Sequence, residues 1–150
     1  MNHALWRLII GSLLWLACPL SAFAEVVVIV HPDSPVHSLT PRQVSDLYLG
    51  RGRSIVRHVQ EASLPTAIYE HSADSPVREI FIRSLNGMTL SQLNAYWARL
   101  RFSGEVLPPV ALTGNAAVID AVRRDRGAIG YVDASAISGA PVKIVLRLKD

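Results

Sequence analysis

The stretch that most constrains the fold is an early run of β-branched residues, Glu-Val-Val-Val-Ile-Val at positions 25–30. An uninterrupted apolar run of this kind is typical of a strand that is buried on both faces. Both faces of a sheet are buried when helices cover it on either side. The segment 31–35 ends the strand, because its two prolines cannot continue a central strand. The run therefore predicts a covered sheet in an α/β protein.

Strands and helices alternate along the rest of the chain. Helices are predicted after Thr40, Ser75, Thr89 and Asn115, each of which is a favourable N-cap residue. Thr40 and Thr89 are each followed three residues later by glutamine, which completes a capping box. Further extended segments are expected at 55–59, 66–69, 106–110, 128–132 and 141–148. This order predicts a three-layer α/β sandwich around a mixed β-sheet.

Two glycines carry specific expectations near the last helix. Gly127 follows the basic end of that helix and is predicted to be its C′ residue. Gly130 lies inside the strand 128–132, which indicates that another part of the chain approaches the backbone closely there.

The first 24 residues are expected to be a signal peptide. They contain a short apolar segment followed by Ala-Phe-Ala at 22–24, which fits the small-x-small pattern before a cleavage site. The apolar segment is interrupted before it reaches the about 20 residues that a membrane span needs. Lipoprotein processing at Cys18 is the alternative, but Trp15 suits a lipobox badly. We expect a periplasmic domain of residues 25–150, without stable membrane insertion after cleavage.

Charge and cysteine content narrow the function classes. No cysteine follows Cys18, so the domain must rely on core packing rather than disulfides. Lys and Arg number 15 against 12 Asp and Glu, which is a mild positive balance. This balance suits small anionic ligands, and it lacks the clustered basic surface of a nucleic-acid-binding protein. We expect no nucleic-acid partner.

The sequence predicts no catalytic residue, no metal site and no cofactor. The histidines after residue 24 are His31, His37, His58 and His71. None of them lies at metal-ligand spacing from another histidine, a cysteine or a carboxylate. The Gly-x-Ser-x-Gly elbow and the Walker loop are absent. Ser75 with His71 and Asp74 is not a triad, because neighbours on one loop rarely supply attack geometry. We expect a protein that is not an enzyme.

The candidate site is the loop between the strand at 66–69 and the helix that begins at Ser75. Residues 72–75 are small and polar, and Pro76 suits the first helical position. A polar loop at a helix N-terminus commonly holds an anion, because free N–H groups and the helix dipole point there. The alternative is that Ser75 only caps its helix.

Several spaced motifs in one order resemble the periplasmic phosphate-binding proteins of ABC transporters. That family has the type 2 periplasmic binding fold, in which two α/β lobes close on a ligand. The matching segments lie at 28–36, 39–51, 71–81, 114–122 and 127–132. The most specific match is the last segment, Gly-Ala-Ile-Gly-Tyr-Val. The matching segments are spread over nearly all of residues 25–148, and the resemblance implies one lobe of this fold.

The resemblance also implies where a ligand would bind. In the family, the arginine, serine, glycine and threonine of an Arg-Ser-Asp-Gly-Ser-Gly-Thr-Thr loop bind phosphate. The corresponding positions here are His71, Ser75, Pro76 and Val77. Only the serine is kept, since Pro76 has no N–H and Val77 has no hydroxyl. A single lobe also leaves an anion half in water, where each contact is worth less.

The function implied by the resemblance is an exported phosphate ABC transporter substrate-binding-like protein. It would bind phosphate or a related small oxyanion weakly, and an ABC transporter or envelope sensor protein would be its partner. The expected ligand-binding residues are His71, Ser72, Ser75, Val77 and Arg78. Ser75 would donate its hydroxyl and N–H, and Arg78 or a protonated His71 would supply charge. The alternative is a periplasmic protein-interaction module that has lost ligand binding.

Overall fold

A computed structural model describes residues 25–51, 65, 67–103 and 107–149 of the chain. The expected signal peptide, the expected strand at 55–59 and the first residue of the strand expected at 66–69 lie outside these described residues. The elements are β1 (Val26–Val30), α1 (Pro41–Tyr48), β2 (Ala67–His71), α2 (Pro76–Asn86), α3 (Leu90–Ser103), β3 (Val110–Leu112), α4 (Gly114–Arg124), β4 (Ala128–Asp133), a short 3-10 helix (Ala134–Ile137) and β5 (Lys143–Leu148).

The strands form one mixed sheet in the order β3-β2-β4-β1-β5. β2 pairs in parallel with β3 on one side and β4 on the other. β1 runs antiparallel between β4 and β5, and all five of its residues are fully buried. The prediction of a strand buried on both faces is therefore confirmed.

Helices cover both faces of the sheet. On one face, α1, α2 and α3 pack through a core cluster that includes Tyr48, Phe81 and Trp97. On the other face, α4 packs through Val118 and Val122 against alternate residues of β1. Side chains of a strand point alternately to the two faces, so β1 contributes to both clusters. The predicted three-layer α/β sandwich is confirmed.

Gly130 is where α4 comes closest to the sheet. A Cβ atom at this position would lie 2.5 Å from Cγ1 of Val118 and 3.2 Å from Cγ2 of Val122. No real side chain fits at the shorter distance without movement of the helix or the strand. The predicted close approach at Gly130 is confirmed, and it sets how tightly α4 packs on β4.

Both predicted capping boxes are present. At α1, the Thr40 hydroxyl accepts the Gln43 N–H at 3.2 Å, and Gln43 Oε1 accepts the Thr40 N–H at 2.8 Å. At α3, Thr89 and Gln92 make the same two bonds at 3.2 and 2.8 Å. At both helix starts, side chains of the helix itself accept hydrogen bonds from backbone N–H groups that would otherwise lack a partner.

Both predicted boundaries of the helix α4 were wrong. Thr113 is its N-cap, whereas Asn115 lies within the helix and its Oδ1 accepts the N–H of Asp133 at 3.1 Å. The helix ends at Arg124, and Asp125 leaves it in an extended conformation, so Gly127 is not the C′ residue. Hydrogen bonds to β4 and within the following turn set these boundaries, and residue preferences at helix ends do not.

The extended segment expected at 106–110 differs in its extent: residue 106 lies outside the described residues, and 107–109 form no strand. The strand β3 begins at Val110, where the predicted extended segment was expected to end. Pro108 and Pro109 cannot donate to a ladder, which explains why pairing begins after them. Within the part of the chain that the structure describes, β3 pairs only with β2 and is an edge strand.

Candidate functional site

The candidate loop lies where the chain leaves the sheet in opposite directions. β2 continues into α2 on one face, whereas β3 continues into α4 on the other. Since β2, β3 and β4 are parallel, their carboxyl ends meet at one edge of the sheet. Ligands of open α/β sheets bind in the crevice that such a divergence creates. The loop after β2 therefore occupies the expected place for a ligand.

The start of α2 is not closed by its own N-cap side chain. Ser75 has the extended N-cap conformation, with φ −74° and ψ 126°, but its hydroxyl makes no capping bond. The Ser75 hydroxyl oxygen instead lies 3.3 Å from Nδ1 of His71. The Ser75 N–H donates to the Ser72 carbonyl at 3.0 Å, so this N–H is already used within the loop. Capping is thus not the role of the Ser75 side chain here.

His71 lies behind the loop with 1% of its surface exposed. Its Nε2 is 3.1 Å from the carbonyl oxygen of Tyr131, which requires that Nε2 carries a proton and donates. In the neutral ring Nδ1 is then an acceptor, and the Ser75 hydroxyl donates to it. Burial lowers the pKa of His71 below its usual value, and the bond to the Tyr131 carbonyl opposes this effect. His71 is therefore uncharged at neutral pH.

Arg78 is turned away from the loop and paired inside the protein. Its Nε lies 3.0 Å from Oε2 of Glu70, and its Nη2 lies 3.4 Å from Oε1. Arg78 is 5% exposed and Glu70 is 8% exposed. Two opposite charges in this bidentate geometry neutralise each other. Sequence reasoning missed Glu70, although a carboxylate within a mostly apolar strand is a signal that a buried partner exists.

The remaining predicted residues stay with the loop. The Ser72 N–H donates to the Leu112 carbonyl at 3.0 Å, which ties the loop to the end of β3. Val77 is half-buried and packs against the core, so its side chain is committed to the interior. The structure thus brings Ser72, Ser75 and Val77 together, places His71 behind them and directs Arg78 to β2.

An aromatic cluster supports the loop from below. The rings of Phe81 and Tyr131 are stacked with centroids 3.7 Å apart, and Tyr48 meets both rings edge-on. The backbone N–H of His71 donates to the Tyr131 hydroxyl at 3.3 Å. Burial raises the pKa of Tyr48 and of Tyr131 well above the usual value, so both hydroxyls stay protonated. The cluster holds the end of β2 in one position.

The neighbouring helix start adds no positive charge. Asp133 ends β4 at the same edge of the sheet, and its Oδ1 accepts the Ser135 N–H at 2.8 Å. Thr113, the N-cap of α4, makes no capping bond with its side chain. Two helix starts that their own side chains leave open therefore lie at this edge, and the carboxylate of Asp133 lies there with them.

Within residues 25–51, 65, 67–103 and 107–149, no three His, Cys, Asp or Glu side chains converge as a metal site would require. In that same part of the chain, no helix has the length and apolar character needed to cross a membrane.

The same α/β fold occurs in solved structures of phosphate ABC transporter proteins. A phosphate ABC transporter substrate-binding protein of Clostridium perfringens, solved with bound phosphate, matches 81% of this chain with a TM-score of 0.60 and 20% identity. An ABC-type phosphate transport receptor of Vibrio cholerae matches 82% with a TM-score of 0.59 and 17% identity. PstS of Borrelia burgdorferi matches 82% with a TM-score of 0.58 and 13% identity.

The chain spans less than half of these structures, covering 45%, 46% and 47% of their lengths. At such identities the likeness shows the fold alone. No family model and no curated protein matches the sequence. The resemblance expected from the sequence motifs, an α/β lobe with a mixed sheet, is confirmed by the solved structures.

Proposed function

We propose that this chain is an exported phosphate ABC transporter substrate-binding-like protein that holds phosphate or a related small oxyanion weakly at the N-terminus of α2. The observation that carries the proposal is the helix start at Ser75, whose hydroxyl makes no capping bond. The first N–H groups of a helix lack intrahelical partners and attract anions. The solved structures of the same fold are phosphate transport proteins by name, and one holds phosphate.

The proposed ligands come from the loop itself. Pro76 has no N–H, so Val77 offers the first helical N–H to an anion, through its backbone rather than its side chain. The hydroxyls of Ser72 and Ser75 are half-buried polar groups on the same loop. His71 and Arg78 complete the proposed set from behind the loop. His71 orients the Ser75 hydroxyl, and Arg78 contributes a positive charge that Glu70 balances.

Weak binding follows from how the charges are used. His71 is neutral because burial lowers its pKa, and the Arg78 charge is balanced by Glu70. Asp74 is exposed on the loop and repels an anion. An anion here would also be half in water, where Coulomb attraction is strongly screened. We expect dissociation constants on the order of millimolar, which correspond to roughly −4 kcal/mol.

His71 and Ser75 give the proposed site a pH dependence. In neutral His71 the Ser75 proton points at Nδ1 and away from an anion. Once Nδ1 is protonated, it donates to the Ser75 oxygen, and the Ser75 proton is free to turn outwards. Protonation also adds a positive charge behind the loop. Binding of sulfate, whose charge is constant in this range, should therefore strengthen as the pH falls through the pKa of folded His71, which burial lowers below the usual 6.5.

Calorimetric titration of phosphate and sulfate into the chain from Glu25 onwards tests the site. At a pH low enough to protonate His71, where the Ser75 hydroxyl can turn outwards, we expect saturable weak binding that Ser75→Ala reduces several-fold, because the substitution removes the hydroxyl. Ser91→Ala is the matched control, since Ser91 is exposed on α3, away from the loop. Absence of heat with either anion, or equal heat for the Ser75→Ala and Ser91→Ala variants, would refute the proposed site.

The location and partners belong to the same proposal. Cleavage before Glu25 would release the domain into the periplasm, where an ABC transporter or an envelope sensor protein would receive it. Mass spectrometry of the protein purified from the cell envelope tests the cleavage. A mature N-terminus at Glu25 is the expected result, whereas an intact leader or a lipidated Cys18 would contradict it.

A second candidate function is a periplasmic interaction module that has lost ligand binding. The observation that favours it is the internal use of both groups expected to supply charge, His71 and Arg78. The two candidates differ in a simple measurement. If neither anion raises the melting temperature, and one envelope protein co-purifies at a fixed ratio, the module is the better description.

A further inference from the structure

A small surface cavity separate from the loop lies between β2, α2 and α3. Its volume is about 190 Å³, whereas a single water needs roughly 10–15 Å³. The residues that form it are Glu70, Arg78, Asn94, Trp97, Ala98, Arg101 and Pro108. Three of them, Glu70, Arg78 and Trp97, are buried and form its floor. The cavity is large enough for a small organic molecule.

One stripe of α3 supplies much of the lining. Asn94, Trp97 and Arg101 are three and four residues apart, so they lie on one face of the helix. Trp97 is buried, whereas Asn94 and Arg101 are exposed and free to adjust to a ligand. The stripe therefore combines an aromatic wall with an adaptable polar rim.

Arg78 lines this cavity and has donors without acceptors in the described part of the chain. A guanidinium has five N–H donors, and Glu70 receives bonds only from Nε and Nη2. Nη1 is buried and has no hydrogen-bond partner among the described residues. A buried donor without a partner is unfavourable, and a planar carboxylate matches the guanidinium geometry. The unmet donors thus indicate the chemistry of a ligand.

The charges of the lining indicate a monoanion. Glu70 balances Arg78, and Arg101 at the rim adds one further positive charge. A ligand with a single negative charge would leave the site neutral, whereas a phosphate dianion would leave excess charge near the buried Glu70. Trp97 and Pro108 offer apolar surface to the rest of such a molecule.

We propose that this cavity binds a small monocarboxylate, whose carboxylate accepts from Nη1 of Arg78 and from Arg101 while its apolar body lies against Trp97. The site is distinct from the loop around Ser75 and goes beyond the proposed oxyanion function. Because Nη1 is buried, this contact requires a small shift of the side chains that line the cavity, while the exposed Arg101 can reach the carboxylate from the rim.

Trp97 makes the proposal directly measurable. The other tryptophans of the chain are Trp6 and Trp15, so the full chain with Trp6→Phe and Trp15→Phe emits only from Trp97. Propionate and cyclohexanecarboxylate, which do not absorb at the excitation wavelength, are titrated, with chloride as the control for ionic strength. We expect a saturable change in Trp97 emission with the carboxylates and none with chloride.

Two substitutions locate the response. Arg101→Gln removes the rim charge, and Arg78→Lys keeps the charge opposite Glu70 but removes Nη1, so each should weaken binding about tenfold. Arg99→Gln, exposed on the same helix and outside the cavity, and Ser75→Ala should leave binding unchanged. The Ser75→Ala result separates this site from the loop.

The proposal is overturned if neither carboxylate gives a saturable response, or if Arg101→Gln binds as tightly as the parent chain. A phosphate response as strong as that of propionate, abolished by Arg101→Gln, would also overturn the assignment to monocarboxylates. If the Arg78→Lys variant does not fold, Arg101→Gln, at an exposed position, decides the question alone.

Discussion

The helices α1 and α2 begin with the same local pattern and end up with opposite chemistry at their starts. Each has a hydroxyl residue at the N-cap followed by proline, Thr40-Pro41 and Ser75-Pro76. Thr40 closes its helix through a full capping box, whereas the Ser75 hydroxyl turns to His71 and makes no capping bond. One helix start is complete within itself, and the other remains available to a ligand.

The difference originates three residues into each helix. In α1 this position is Gln43, whose amide oxygen returns a bond to the Thr40 N–H at 2.8 Å. In α2 it is Arg78, which has donors only and cannot return that bond. Arg78 is instead held by Glu70 of the neighbouring strand. A capping pattern therefore needs its reciprocal acceptor before it predicts a closed helix end.

The largest expected effect comes from giving α2 the pattern of α1. Arg78→Gln creates a Ser-x-x-Gln capping box but leaves Glu70 buried without a partner. Removal of one member of a buried ion pair costs about 3–5 kcal/mol, which exceeds the about 1 kcal/mol that a new cap adds. Urea denaturation should show a large net loss of stability.

The double variant Glu70→Gln with Arg78→Gln is the control for this prediction. It removes both charges, so it should recover most of the lost stability. If Arg78→Gln alone were as stable as the parent chain, the pair of Glu70 and Arg78 would not be what keeps the start of α2 open.

A smaller effect separates the two hydroxyls. Thr40→Ala removes a cap that accepts a bond at 3.2 Å and should cost about 0.5–2 kcal/mol in urea denaturation. Ser75→Ala removes no capping bond, but it removes the hydroxyl that lies 3.3 Å from the buried Nδ1 of His71, a bond worth about 0.5–1.5 kcal/mol. The Ser75→Ala loss should therefore vanish in the His71→Gln background, whereas the Thr40→Ala loss should persist there. A Ser75→Ala loss that persists in the His71→Gln background would mean that Ser75 caps α2 in solution.

The pH dependence of stability sharpens the same contrast. The pKa of His71 is lower in the folded protein than its usual 6.5, so the unfolded chain binds its proton more readily. His71 therefore contributes stability above about pH 6.5 that is lost as the pH falls through the lowered folded value. Melting temperatures from pH 7.5 to 5 should fall less steeply in His71→Gln than in the parent chain. Parallel curves would show that His71 does not contribute to the pH dependence of the melting temperature.

The smallest effect is the one that a ligand produces. Sulfate should raise the melting temperature of the parent chain by a degree or so at concentrations near its dissociation constant, because stabilisation grows only as the logarithm of ligand concentration. The same addition to Ser75→Ala should have less effect, and to Thr40→Ala the full effect. A shift that Thr40→Ala loses would place the anion at α1 instead.

Local sequence patterns predicted most of the fold. The apolar run of β1 and the two capping boxes each depend on residues within one segment and are confirmed. The close approach at Gly130, which a glycine inside a strand indicated, is confirmed as well. The order of elements then leads to the covered mixed sheet. These features can be predicted from the sequence because few other local conformations would give the backbone N–H and C=O groups of these segments hydrogen-bond partners.

The site was predicted less completely, because its chemistry depends on long-range partners. Ser75, Ser72 and Val77 share the loop as expected, but the sequence placed Arg78 at the ligand and the structure pairs it with Glu70. Asn115 likewise bonds to the backbone of β4 rather than capping its own helix. Sequence spacing alone does not reveal which strand lies beside a helix start.

The position of β1 has a consequence for how the molecule assembles. This first strand pairs on both sides with segments from the other end of the chain, β4 and β5. The sheet therefore cannot close until the last residues are available, and contacts so distant in sequence make folding slow. Until then Val-Val-Val-Ile-Val is an unpaired segment of high strand propensity, the kind that associates with other chains. This strand, paired on both sides in the finished sheet, is thus the segment most in need of protection before folding.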